Sequence, residues 1–234
     1  MEPESYEEEQ PVLTRTEKRA ARTLKSLLSA AQDVFLERGL GAATIEEITE
    51  RADIGKGTFY IYYSSKTAIF ESLVSGAMKR LLARIRAAEK EAGNLRDAVS
   101  AVVEAELQYC QQDPKGFRLL AFARNLLQLR EVSLPECADI FEHYFRVVEQ
   151  AIQRRVGRPI ESAQRRRIAI LLASVSSGYL SFEAFDIDAR KMVLAYEQVR
   201  EAMINAVVSL IESQEQGKAS SGEGEVPAPG TAKR

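Results

Sequence analysis

The segment from Thr44 to Lys66, TIEEITERADIGKGTFYIYYSSK, collects residue types suited to holding an anion. Lys56 and Lys66 supply ammonium groups, and Thr44, Thr58, Tyr60 and Tyr62 supply hydroxyls. Both kinds of group bond phosphate oxygens. Gly57 leaves the backbone bare, so a large partner can approach it closely. The Thr58 methyl also suits contact with a thymine methyl. Lys66 falls in the first turn of a long helical pattern, where free N–H groups favour a phosphate. Thr44 stands at the start of a shorter helix. Surface residues of these types are usually just solvated. Here they cluster around one short helix beside a basic arm (Arg15, Lys18, Arg19, Arg22 and Lys25, opposed only by Glu17). That clustering favours phosphate contact.

The rest of the chain offers little for catalysis. His143 is the single histidine, and Cys110 and Cys137 lie far apart. One imidazole and two distant thiols cannot close a zinc site. No C-x-x-C spacing suggests a disulfide framework, so a reduced, cytoplasmic setting is expected. Gly55-Lys56-Gly57-Thr58 lacks the contiguous Gly-Lys-Ser/Thr of a phosphate-binding loop, and no strand pattern precedes it. Gly39-Leu40-Gly41 also lacks a preceding strand, and there is no G-x-S-x-G elbow. The expectation is therefore no enzyme, no cofactor and no metal. No apolar run approaches the ~18 residues of a membrane span, so no membrane partner is expected. The N-terminus is acidic and lacks the apolar core of a signal peptide. The net charge of −2 conceals an acidic tip, Glu2, Glu4, Glu7, Glu8 and Glu9, just before the basic arm.

The elements that must position these residues are all helical. Leu24, Leu27, Leu28, Ala31 and Phe35 form one amphipathic stripe, which Gly39 ends. Thr44 and Glu47 make a capping box for a helix over about 45–51. Asp53-Ile54-Gly55 turns the chain into a second short helix, about 56–62. Ile45, Ile48, Ile54, Phe59 and Tyr63 form their core. Ser64 or Ser65 opens a long helix over about 66–91. Two short helices joined by a tight turn and packed on a longer one make a helix-turn-helix. Further on, Asp97, Asp113-Pro114, Leu134-Pro135, Ser162 and Asp188 open later helices, about nine in all, with no strand. The domains expected are a disordered acidic arm (1–13), the helix-turn-helix domain (14–66), a helical domain (67–213) and a disordered tail (214–234).

The run Ala30-Ala31, Phe35, Gly39, Thr44-Ile45-Glu46-Glu47-Ile48, Ala52, Ile54, Lys56-Gly57-Thr58-Phe59-Tyr60, Tyr62-Tyr63 and Ser65-Lys66 resembles the N-terminal signature of the TetR family of bacterial regulators. The likeness covers roughly residues 20–75. Gly55 departs from the polar residue that family usually carries. The resemblance implies a repressor that binds double-stranded DNA at a palindromic operator and is released by a small-molecule effector. It places Thr44, Lys56, Gly57, Thr58, Tyr60, Tyr62 and Lys66 at the DNA. It also implies an all-α ligand-binding and dimerisation domain. Aromatic and neighbouring residues of the middle helices, Tyr109, Cys110, Phe117, Phe122, Phe141, His143, Tyr144 and Phe182, are candidates for an apolar or aromatic ligand. Two stripes suggest a homodimer through the last two long helices: Ile168, Leu171, Leu172, Val175, Tyr179 and Phe182, and Met192, Tyr196, Val199, Met203, Val207 and Leu210. The alternative is a helical dimer that binds a protein partner and no longer binds DNA.

Overall fold

The computed structural model describes residues 14–130, 133–157, 159–183 and 200–212. The helices are α1 (Arg15–Ala42), α2 (Ile45–Arg51), α3 (Lys56–Tyr62), α4 (Lys66–Lys90), α5 (Leu95–Gln112), α6 (Pro114–Leu129), α7 (Pro135–Gln153) and α8 (Ser162–Glu183). Residues 200–212 are helical as well and are called α9. No strand occurs among the described residues, so the fold is all-α as expected.

Local chemistry sets the helix starts. Thr14 accepts the Glu17 N–H while the Glu17 carboxylate accepts from the Thr14 backbone, a complete capping box. Thr44 and Glu47 repeat the device at α2. The Ser65 hydroxyl caps α4 by accepting the Ala68 N–H at 3.1 Å. Asn94, and not Asp97, caps α5: its side chain accepts the Asp97 N–H at 2.9 Å. Asp97 sits in the first turn and accepts the Gly93 N–H. Ser162 is already helical, and the carbonyl of Glu161 accepts the Arg165 N–H. Asp188 lies outside the described residues. Gly39, with φ 77° and ψ 164°, ends the regular helix that starts at Arg15, as expected, and a short further helical piece runs on to Ala42. That conformation is essentially restricted to glycine.

The chain forms two compact units. The first comprises residues up to Ala77 together with Arg118–Cys137; the second comprises Met78–Phe117 and residues from Ala138 on. The first unit thus runs past residue 66 and takes in most of α6. Its core includes Leu27, Ala31, Phe35, Ile48, Phe59, Ile69 and Phe70, all fully buried. Phe70 meets Phe35 edge-on at 5.3 Å and Phe122 at 5.7 Å. In the second unit α5 packs on α8, and Ile85, Val99, Val102, Tyr109, Val148, Ile152 and Leu172 are buried. On α9 the buried residues are Met203, Ile204, Val207, Val208 and Ile211, while Leu210 is exposed. Each unit contains one buried free cysteine, Cys137 in the first and Cys110 in the second. Burial pushes the Cys110 thiol up to about 11. Burial, with Glu71 and Glu136 nearby, pushes Cys137 up to about 12.

Candidate nucleic-acid interface

The turn between α2 and α3 is built from Ala52 to Gly55. Asp53 adopts φ 55°, a left-handed conformation that Asp tolerates better than most residues. The Ser26 hydroxyl donates to the Ala52 carbonyl at 3.1 Å, tying the turn to α1. Phe59 is fully buried and anchors α3. Tyr60 meets it edge-on at 5.4 Å and Tyr63 lies against it at 6.4 Å. Ile45, Ile54 and Tyr63, expected in the core, are half-buried at its margin.

The exposed face of α3 carries Lys56, Gly57, Tyr60 and Ile61. Tyr60 is 57% exposed and Ile61 78%. A Cβ at Gly57 would meet nothing within 4 Å. A glycine inside a helix costs roughly 1 kcal/mol relative to alanine, and nothing inside the fold requires this one. Its use is external: close approach of a partner to the backbone. Lys56 pairs with the Glu46 carboxylate. Thr58 is half-buried. Tyr62 is half-buried too, and its hydroxyl donates to the Ala20 carbonyl at 3.3 Å.

Thr44 and Lys66 flank this face and already hold local bonds. The Thr44 hydroxyl accepts the Glu47 N–H at 3.1 Å and donates to the Glu47 carboxylate at 3.0 Å. Bonds from the Thr44 backbone and hydroxyl hold the Glu47 carboxyl below its ordinary range. The Lys66 ammonium donates to the carbonyls of Gly41 at 2.8 Å and Ala43 at 2.9 Å, clasping the link between α1 and α2. An ammonium has three protons, so a third remains for another acceptor. The arrangement is an exposed helical face with donors at its margins, suited to a polyanion.

The eight ligand candidates are divided between the two compact units, with Cys110 buried in the second. Phe122 belongs to the first unit, against Phe70, with its ring tip near Gly39. In the second unit Tyr109 and Phe117 are buried, and the Tyr109 hydroxyl donates to Asp113 at 3.0 Å. Burial, with Asp113 beside it, raises the Tyr109 phenol. Tyr144 is buried and donates to Glu106. Phe141 is half-buried. His143 is exposed and bonds Arg86 at 2.9 Å. The Phe182 side chain lies outside the described ones.

Residues 27–73 match the family described as "Bacterial regulatory proteins, tetR family". The helix-turn-helix domain of this chain belongs to the TetR family. Among helix-turn-helix-type relatives, the chain is 28% identical over 155 residues to the transcriptional activator FasR of Mycolicibacterium smegmatis, covering 64% of this chain and 67% of that one. It is 38% identical over 65 residues to the transcriptional repressor BepR of Brucella suis, covering 28% of this chain and 31% of that one. It is 47% identical over 60 residues to the regulator YdeS of Bacillus subtilis, covering 25% and 30%. The last two matches span about a third of those relatives' length. Among solved structures, FadR of Bacillus subtilis in complex with stearoyl-CoA superposes with a TM-score of 0.63 at 16% identity, over 80% of this chain and 98% of that one. A TetR-like regulator from Rhodococcus sp. RHA1 gives 0.61 at 16%, over 86% and 98%. These likenesses show the TetR fold beyond the helix-turn-helix.

Two features of this chain are not among the residues singled out in the sequence. Ile61 is the most exposed large hydrophobic residue described. Its place opposite Phe59 on a helical wheel was the available signal. Glu106 is a buried carboxylate on α5. Its place among Val102, Val103, Ala105 and Leu107 could have marked it as a charge at a core position.

Proposed function

We propose that the chain is a homodimeric, sequence-specific repressor released from a palindromic operator by a small-molecule effector. The observation that carries this reading is the face of α3: Gly57, with no internal reason to be glycine, lies beside exposed Lys56, Tyr60 and Ile61. Two protomers would set their α3 helices in successive major grooves about 34 Å apart. Tyr60 and the N-terminal half of α3 would meet base edges. Thr44, Tyr62 and Lys66 would hold phosphates. Exposed Ile170 and Leu171 on α8 and Leu210 on α9 support a dimer seam through the last two long helices.

The effector would bind in the second unit, where Tyr109, Cys110, Phe117, Phe141, His143 and Tyr144 are the described candidates. The stearoyl-CoA bound by FadR of Bacillus subtilis supports an apolar ligand. Helix α4 contributes residues to both compact units, which suits it to carry the effector's influence to the operator. The effector acts only through its differential affinity for two conformers. A second reading, activation, is favoured by the likeness to FasR; operator position relative to the promoter separates the two. Among the described residues no helix is long and apolar enough to cross a membrane, in keeping with a cytoplasmic site of action.

The test is selection of bound duplexes from a random DNA library, followed by salt titration of the best sequence. An enriched inverted repeat, with affinity falling steeply as salt rises, supports the reading. Folded protein that enriches nothing at low salt would instead be a partner-binding dimer. Lys66→Ala should weaken binding to all duplexes alike.

A further inference from the structure

We propose that Ile61 is a specificity-determining residue, whose side chain seats against the C5-methyl group of a thymine at one position of each operator half-site. This role rests on the reading that α3 lies in a major groove, and adds to it a base contact of a different chemistry. α3 has one fully buried anchor, Phe59. At about 100° per residue, Gly57 and Ile61 stand within roughly 40° of each other on the side opposite that anchor. Ile61 is 78% exposed, and Tyr60 on the flank is 57% exposed. A Cβ at Gly57 would meet nothing within 4 Å. Side chains of a helix lean toward its N-terminal end, so Ile61 inclines toward the bare Gly57 backbone. The outermost ridge of α3 is therefore a bare floor ending in a branched apolar side chain. Thr58, whose methyl the sequence also offers to a thymine, is half-buried on another side of the helix.

The fold itself gains nothing from this isoleucine. Its apolar surface stands in water, and a β-branched residue is a poorer helix former than a straight-chain one. Its surroundings indicate what covers it. Lys56 lies exposed on the same face, and Lys66 flanks it with one ammonium proton to spare. An apolar protein surface seated on Ile61 would strip water from both cations without pairing them. Duplex DNA pairs such cations with phosphates, and its major groove presents the thymine C5-methyl as an apolar group among donors and acceptors. Ile61 has no side-chain hydrogen bond to offer, so its preference is for that methyl alone. In a helix its χ1 is close to fixed, so the contact costs little rotamer freedom.

The test uses the full chain and the best duplex from the random library, with each thymine in turn replaced by deoxyuridine. That change removes the C5-methyl and keeps every hydrogen-bonding group of the base. For the wild type, one thymine per half-site should be sensitive to Ile61, and each methyl removed there should weaken binding about fourfold. Ile61→Ala should bind the parent duplex more weakly and show no penalty for deoxyuridine at that position, while keeping its penalties elsewhere. Ile61→Val, which keeps the branch, should retain part of the discrimination. Because the side chain is so exposed, Ile61→Ala should keep the circular dichroism and Tm of the wild type. Equal deoxyuridine penalties in wild type and Ile61→Ala at every position would overturn the assignment. So would discrimination that is lost in Thr58→Ser and kept in Ile61→Ala. Ile61→Ala that binds the parent duplex as tightly as wild type would overturn it as well, and would leave the residue to a protein partner. Wild-type protein that selects no duplex defeats the reading of α3 itself, a failure distinct from a protein that selects a duplex and ignores its methyl groups.

Discussion

The two compact units bond their polar groups over different distances along the chain. In the first unit the bonds are mostly short-range or reach one helix away: Thr44 to Glu47, Ser65 to Ala68, Lys66 to Gly41 and Ala43. Several of these satisfy backbone groups at helix ends that would otherwise be orphaned. The second unit has local bonds too, such as Asn94 to Asp97, but adds bonds between side chains far apart in sequence. Arg154 grips the buried Glu89 through two bonds at 3.1 and 2.8 Å. Arg200 reaches Glu104 at 3.0 Å, and Tyr144 reaches the buried Glu106. The first unit is thus specified by local grammar and the second by agreement between distant helices.

The sharpest way to break that contrast is Tyr144→Phe. It removes a donor to a buried carboxylate and should cost about 2 kcal/mol, read by urea denaturation. Loss of stability with no change in DNA affinity of the folded protein would place the effect in the second unit alone. Thr44→Ala should cost less, about 1 kcal/mol, because it removes one helix cap. The same change should weaken DNA binding if the hydroxyl also holds a phosphate, and Thr44→Ser should restore both. The smallest effect concerns acid. Burial alone would raise the Asp113 carboxyl, but bonds from the Gly116 N–H, Arg80 and Tyr109 outweigh it and hold it low. A depressed carboxylate stabilises the fold above its unfolded pKa, and that contribution fades as pH falls through the folded value. The stability gap between wild type and Asp113→Asn should therefore be open at pH 6 and narrow toward pH 3. A gap that does not change with pH would detach Asp113 from the acid response.

The same contrast explains what was legible in the sequence. The Thr44–Glu47 capping box, a serine cap at Ser64 or Ser65, and the bounds of α2 and α3 follow from residues a few positions apart, and the structure places α2 and α3 at the expected bounds. The exposure of Lys56, Gly57 and Tyr60 followed from burying Phe59. The packing of Phe122 on Phe70, beside the Gly39 break, was not legible because its own helix reveals neither partner. Asp97 was taken for a cap because Asn94 and Asp97 both have cap chemistry three residues apart, and only the backbone of Asn94, extended at φ −145°, decides between them. On α9 the expected stripe shared Met203 and Val207 with the buried face but ended on Leu210, since the helix turns Ile204, Val208 and Ile211 inward. Glu106 was overlooked because its partner lies on another helix.

The distribution of sulfur has a consequence of its own. One thiol lies in each unit, sealed from solvent and held mostly protonated at neutral pH. A thiol so placed reacts with an alkylating or disulfide reagent only when its surroundings open, so the labelling rate of Cys137 times the breathing of the DNA-binding unit and that of Cys110 times the breathing of its neighbour. The chain carries two internal clocks, and an effector that tightens one unit while loosening the other would make them run apart.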